Sequence, residues 1–452
     1  MFIFALKTNC FFNLHDGLKI CNIMDRRQFL KDLGIAGAGA LALTSPWLSA
    51  FATVDDSAHE RCRLGMIGPG SRGRFLLGFL AQNPKCEVVA LADIYQPSLE
   101  AALDIVPTAK TYKDYRELLE DKSIDGVVIA TPLNTHYQIA MDAFEAGKHV
   151  YCEKAIAYTM EETLALYKKH VETGLVFFTG QQRLFDPRYI KVMDMVHEGI
   201  FGDINAVHAY WNRNNDWRRD VPSPELERLI NWRLYKESSK GLMTELACHQ
   251  LQVGTWALGK LPVRVMGTGA ITHWKDGREV FDNVHCIYEF DDGRQMTYAS
   301  VISNKFYGLE EQLLGSLGNV EPERGKFYFE DYAPAPAPAF VQMLMEWEDK
   351  IWGANTFAGS SWDPEVASKN PGEYIMGVAP DRTIPGSDGT QLLTEAYVEA
   401  VCTKHQPPRI AEEGYYATQL CLIGHEAIVQ GKALTFPENM KIDYEPYATS
   451  VA

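Results

Sequence analysis

The stretch RLGMIGPGSRG, Arg63 to Gly73, starts apolar and then gives up side chains at Gly68, Gly70 and Gly73, the spacing G-x-G-x-x-G. The chemistry that needs side chains removed is the close approach of an anion to the main chain. The first glycine permits a tight turn, the second lets a pyrophosphate come near the backbone, and the third lets the next helix pack against the sheet. That helix opens at Ser71 and Arg72 and turns its unpaired N–H groups and positive dipole end toward the anion. Asp93 follows Gly73 by 20 residues, at the end of the second apolar run. A carboxylate there binds the adenosine ribose 2′-hydroxyl and repels a 2′-phosphate, so the pattern favours NAD(H) over NADP(H). Arg72 and Arg74 speak for the phosphate. Taken alone, the glycines are equally a bland turn; strand, helix and acid together select the dinucleotide.

Three further stretches carry groups suited to chemistry. ATPLNTHYQ (Ala130 to Gln138) follows a continuous apolar run, and GKHVYCEKA (Gly147 to Ala155) contains the next one. Both strand ends open on the crevice where doubly wound sheets bind ligands. In KGLMTELACHQLQ (Lys240 to Gln252), Glu245 and His249 are four residues apart and so share one helix face. The competing reading is a packed core histidine beside an ordinary helix carboxylate. WNRNNDWRRD (Trp211 to Asp220) and NWRLY (Asn231 to Tyr235) combine indoles, amides and arginines, which suit a sugar as well as they suit a surface loop. No basic partner is evident for Cys152 or Cys248, and both read as packing groups rather than nucleophiles.

The elements that must position these groups alternate in two rhythms. From 61 to 180, strands at Leu64–Ile67, Glu87–Ala92, Gly126–Ala130, His149–Cys152 and Leu175–Thr179 are separated by helical patterns. That order predicts a doubly wound parallel sheet, a Rossmann unit. From 181 to 390, a strand at Asn205–Trp211 and a helix at Leu242–Ala257 precede alternating segments at Arg264–Thr272, Asn283–Phe290 and Met296–Ser303. These predict a second α/β domain with a large, mostly antiparallel sheet. APAPAPAF (Ala333 to Phe340) reads as a stiff linker, and the helical patterns within 391–452 as returning to the first domain.

Composition bounds the partners. The 452 residues carry a net charge of −16, and past residue 52 there are 38 basic against 56 acidic side chains. That argues against nucleic acid and anionic membranes. It favours a neutral substrate, or an anionic one held by a few local cations. Nine cysteines are scattered singly, with no ligand spacing for a metal. Residues 1–52 read as a leader: Arg26-Arg27 in MDRRQFLK precede an uncharged, small-residue run and resemble a twin-arginine export signal. The expected start is then Met24, the expected cleavage near Ala50 or Ala52, and the expected location the periplasm. The apolar run is too short and weak to predict stable membrane insertion of the mature chain.

The glycine loop, A-T-P-L-N-T-H, A-G-K-H-V-Y-C-E-K-A and the G-x-x-x-E-x-x-x-H helix, in this order, resemble the glucose–fructose oxidoreductase/inositol dehydrogenase (Gfo/Idh/MocA) family over 61–436. The resemblance implies an NAD-dependent oxidoreductase of sugars or polyols, often a homo-oligomer. It puts Thr131, Asn134, His136, Glu153 and Lys154 around the nicotinamide half. It makes Lys154 and His249 catalytic, with Glu245 one turn earlier as their acidic companion. His249 then takes the carbinol proton and Lys154 stabilises charge on the oxygen. The same set would serve an NAD-dependent glycosidase that oxidises its sugar transiently, and the fold would also serve a non-catalytic binding protein. Two positions depart from the pattern: Ala155 replaces a proline, and Gln252 an acidic residue.

Overall fold

A computed structural model describes residues 61–329, 370–372 and 386–444. The leader and the 333–340 linker lie outside these residues.

The first unit follows from short runs of β-branched and leucine residues buried on both faces. β1 (Cys62–Ile67), β2 (Cys86–Ala92), β3 (Lys110–Tyr112), β4 (Gly126–Ile129), β5 (His149–Cys152) and β6 (Phe177–Thr179) form one sheet in the order β3-β2-β1-β4-β5-β6. Every pairing is parallel. The crossovers are α1 (Ser71–Gln82), α2 (Gln96–Leu103), α3 (Tyr115–Glu120), α4 (Leu133–Glu145) and α5 (Met160–Thr173). α5 begins at a capping box, Thr159 with Glu162, and stops at Gly174 in the left-handed region. The chain runs outward from β1 to β3 and then returns to β4, so the order reverses between β1 and β4. A crevice opens at such a switch point, above the carboxyl ends of the strands.

The second unit continues through α6 (Pro187–His197), β7 (Ile204–Trp211) and a helix, α7, that starts as a π-turn at Met243–Ala247 and runs on as Cys248–Leu258. Its sheet has nine strands, adding β8 (Arg264–Ala270), β9 (Asn283–Glu289), β10 (Gln295–Val301), β11 (Leu309–Gly315), β12 (Gly318–Glu321), β13 (Lys326–Phe329), β14 (Asn370–Gly372) and β15 (Leu434–Thr435). Only the β7–β10 pair is parallel. Strands β11 to β13 escaped the sequence reading because β11, LEEQLLG, buries Glu310 and Glu311 completely and so breaks the apolar–polar alternation. Edge strand β3 escaped it because three mostly exposed residues carry no pattern.

Two helices join the units. From α8 (Thr390–Thr403), the buried Tyr397 hydroxyl reaches the carbonyls of Val127 at 3.0 Å and His149 at 3.1 Å. From α9 (Ile410–Gln430), Thr418 Oγ1 accepts from Ile156 N, and the Leu420 carbonyl accepts from Tyr288 of β9. α9 therefore sits between the sheets and fixes how the crevice of one faces the helix of the other.

Candidate active site

The cleft between the units has a volume of about 1640 Å³ and is lined by the loops after β1, β2, β4 and β5, by α7 and by the 211–233 segment. At one end the main chain does the shaping. Gly68 has φ +82°, and a Cβ there would lie 2.6 Å from Thr131 Cγ2. A Cβ on Gly73 would lie 2.3 Å from the Gly68 carbonyl oxygen, so α1 packs directly on the turn. A Cβ on Gly70 would meet nothing within 4 Å. Gly70 is the N-cap of α1 and no side chain caps that helix, so its first N–H groups face open space. Three glycines thus serve three purposes: a left-handed turn, an exposed backbone, and close packing. This cradle fits a dinucleotide pyrophosphate. Asp93, just past β2, lines the same end and accepts from Tyr95 N at 2.8 Å. Burial raises its carboxyl above the ordinary range, against the pull of the Tyr95 N–H and Arg74.

Several residues expected at the cofactor bind one another. Arg72 Nε donates to Glu153 Oε1 at 2.8 Å, and Tyr151 adds its hydroxyl to the same oxygen at 3.2 Å. Burial opposes ionisation of Glu153, but Arg72 and Lys154 hold its carboxyl below the usual range. His136 places Nδ1 2.8 Å from the Ala155 carbonyl and Nε2 2.9 Å from that of Thr131. Burial lowers the imidazole pKa, so the neutral ring donates to one of these carbonyls while its other nitrogen is walled off by the second. His136 fastens the start of α4 to the loop after β5 and is not free to act as a base. The Thr131 hydroxyl lies 2.8 Å from that of Thr135, and Asn134 is exposed on the first turn of α4, in the cleft wall.

The other end is made by side chains. Lys154 Nζ donates to the Glu245 carbonyl at 2.9 Å, which ties the end of β5 to the π-turn of α7. Such turns re-aim side chains out of regular helical register. The peptide between Lys154 and Ala155 is cis. The other lysine of the same stretch, Lys148, is bound to the carbonyls of Asp121 and Ile124 and does not line the cleft. The Glu245 carboxylate accepts from Arg233 Nε at 2.8 Å and Ser239 Oγ at 3.0 Å.

His249 lines the cleft, is 3% exposed, and its Nδ1 finds no hydrogen-bond partner among the described residues. Burial, then the charges of Lys154, Arg183 and Arg72, push its pKa well below the ordinary imidazole value. The ring is neutral at physiological pH and can take a proton. Gln252, where the resemblance expects an acid, points instead to Glu413 of α9 at 3.1 Å. Cys152 is buried with its thiol pKa pushed up, and Cys248 accepts a hydrogen bond from Gln181.

Sequence reasoning missed the support beneath this end. Arg183 forms a buried ion pair with Glu311 of β11, and its guanidinium lies 5.9 Å from the Trp211 ring; Trp211 in turn sits 5.7 Å from the His249 ring. Arg183 stands in the motif-poor QQRLF, and Glu311 in the strand that was not recognised. Among the described residues no group of three or more His, Cys, Asp or Glu could hold a metal ion, and no helix is long and apolar enough to cross a membrane.

Comparison with known proteins places this geometry. Residues 62–181 match the family model "Oxidoreductase family, NAD-binding Rossmann fold", and 189–321 match that of the GFO/IDH/MocA C-terminal domain. An inositol 2-dehydrogenase of Rhizobium meliloti is 28% identical over 268 residues, 58% of this chain and 75% of the relative. A glycosyl hydrolase family 109 protein of Stenotrophomonas maltophilia is 33% identical over 207 residues, 43% of each chain. The match spans about half the length of several curated relatives. A solved levoglucosan dehydrogenase, in complex with NADH and levoglucosan, superposes with a TM-score of 0.63 over 83% of this chain and 100% of its own, at 20% identity. At that identity the superposition speaks for the fold.

Proposed function

The chain belongs to the Gfo/Idh/MocA family, whose two domain models together match more than half of it, and from that premise we propose that it is an NAD(H)-dependent oxidoreductase acting on a carbinol of a sugar or polyol. The observation that carries the reading is His249: a buried, neutral imidazole with an unpartnered Nδ1, in the same cleft as the glycine cradle. Bound NAD would supply the hydride acceptor. The N–H groups after Gly70 hold its pyrophosphate and Asp93 its ribose, a carboxylate that disfavours the 2′-phosphate of NADP. Thr131 and Asn134 shape the wall beside it. Lys154 Nζ is anchored by the Glu245 carbonyl, keeps further N–H donors, and holds the substrate oxygen while stabilising its developing charge. His249 removes the hydroxyl proton. Glu245 orients the site through Arg233 and Ser239. Arg72 and Glu153 support the cradle as an ion pair.

The likeness to a family 109 glycosyl hydrolase favours a second reading, in which oxidation of the sugar is transient and a glycoside is cleaved without net redox change. The leader resemblance adds to it. An enzyme exported with its cofactor has no nicotinamide pool outside the cytoplasm and benefits from a redox-neutral cycle. One experiment separates the readings: titrate purified protein with NAD, then offer free sugars and aryl glycosides. NADH accumulating with free sugars selects the dehydrogenase; aglycone release without NADH selects the glycosidase; dinucleotide binding with neither leaves a binding protein. N-terminal sequencing of periplasmic protein tests export, with a start shortly after Ala50 or Ala52 expected.

In this reading 61–180 binds NAD and 181–390 binds substrate. The expected return of the C-terminal helices within 391–452 to the first unit is corrected: α9 packs on both units and β15 extends the second sheet. One face of the nine-stranded sheet exposes His285 and Ile287 between the buried residues of β9, and it suits a homo-oligomer interface. Sedimentation velocity tests that assignment.

A further inference from the structure

The chain is acidic overall, yet among the described residues its cleft is lined by ten Lys and Arg against five Asp and Glu. A dinucleotide pyrophosphate answers only part of that surplus. Five of the cations already have carboxylate partners: Arg72, Arg116, Arg218, Arg228 and Arg233. Arg74 and Lys113 flank the Asp93 end, and Lys154 is tied to Glu245. Arg213 and Arg219 remain, and neither has a carboxylate partner among the described residues.

Both stand on fixed main chain. Arg213 follows β7, and its N–H donates to the Val301 carbonyl at 2.8 Å. Arg219 is clamped by Asn231, a side chain only 2% exposed, which accepts from Arg219 N at 2.8 Å and donates to Arg219 O at 2.9 Å. A buried amide spent on both main-chain groups of one residue holds its side chain where the fold needs it. Both arginine side chains are exposed on the cleft wall, where a ligand can reach them. The Arg213 guanidinium lies 5.2 Å over the Trp211 ring, which also neighbours the His249 imidazole at 5.7 Å and Arg183 at 5.9 Å. Arg213 and His249 therefore share Trp211 as a neighbour, which puts an unpaired cation and the base on one cleft wall.

We propose that the substrate is an acidic sugar, a hexuronate or its glycoside, whose carboxylate is received by Arg213, with Arg219 lining the same cleft. The proposal rests on the sugar-carbinol reading above. A planar carboxylate matches the guanidinium fork, and a single negative charge matches one unpaired cation at the indole.

The test compares glucuronate, galacturonate and their aryl glycosides with glucose, galactose, glucose 6-phosphate and the neutral aryl glycosides, in wild type, Arg213→Gln and Arg213→Lys. Tryptophan fluorescence reads binding independently of turnover. Wild type is expected to bind and turn over an acidic sugar at least about tenfold better than its neutral counterpart. Arg213→Gln should erase that preference mainly through KM, and Arg213→Lys should restore part of it. NAD affinity should be unchanged in both variants. Preference for the neutral or phosphorylated sugar, or equal losses on acidic and neutral sugars in Arg213→Gln, would overturn the proposal. Uronate binding without any redox or cleavage would instead overturn the functional reading and leave this one standing.

Discussion

The two ends of the cleft are built by different means. At the dinucleotide end the decisive feature is missing side chains: Gly68, Gly70 and Gly73 shape a cradle in which the backbone is the ligand. At the substrate end, side chains from the end of β5 and the 219–233 loop meet at Glu245 in the π-turn of α7, and Trp211 at the end of β7 packs against the His249 imidazole. The first kind of site is local in sequence and survives as a spacing. The second exists only once two sheets have been set against each other by α9.

The same contrast separates two histidines. His136 and His249 both line the cleft and are both almost fully buried, yet His136 has both nitrogens on carbonyls while His249 Nδ1 has none. Partnership decides which one can exchange a proton.

If this division is right, damage at the two ends should separate binding from chemistry. The largest effect is expected for His249→Ala and Lys154→Ala, each lowering turnover by at least about a hundredfold while NAD affinity holds, measured by steady-state kinetics beside calorimetric titration. The comparison fails if His136→Gln is as costly to turnover at equal stability. Next, Gly70→Val should weaken NAD binding by at least about tenfold with little change in Tm, because its Cβ enters open space that the ligand needs. Gly73→Ala should lower Tm instead, because its Cβ collides with the Gly68 carbonyl. Equal patterns in the two variants would dissolve the distinction between cradle and packing.

Acid should act more gently. His136, His170, His249 and His425 are all held below the ordinary imidazole range by burial, His425 at about 4. The unfolded chain takes up their protons near pH ~6.5 and the folded chain does not, so stability is full above that pH and declines as pH falls toward the folded values. Tm should drop by roughly 5 °C or more between neutral pH and the low fours, and kcat/KM should hold until well below the usual imidazole range. A rise in Tm on acidification would contradict the burial of these rings as neutral groups. The smallest effect belongs to Tyr397→Phe, which removes one buried hydroxyl over two carbonyls and should cost about 1 kcal/mol by denaturant titration, with NAD affinity unchanged.

This contrast also explains what could be read in advance. The parallel sheet was legible because its strands are continuous apolar runs, and the cradle because glycine spacing records a backbone constraint. Glu245 and His249 were legible as a pair by helical period, but not the π-turn that aims them. Arg72 and Glu153 lie 81 residues apart, and no local pattern announces that each neutralises the other. β11 hid behind its own buried acids, Glu310 and Glu311. The clamp of Asn231 on Arg219 is a tertiary fact, visible in sequence only as an aromatic and arginine-rich stretch.

The most direct test mixes stoichiometric protein and NAD with a panel of acidic and neutral sugars in a single turnover, following NADH absorbance and glycoside cleavage together. Wild type should give NADH or released aglycone, His249→Ala should bind NAD as tightly and give neither within the same time, and Gly70→Val should require far more NAD to respond. Turnover in His249→Ala at the wild-type rate, or a wild-type protein that fails to bind NAD at all, would contradict the account.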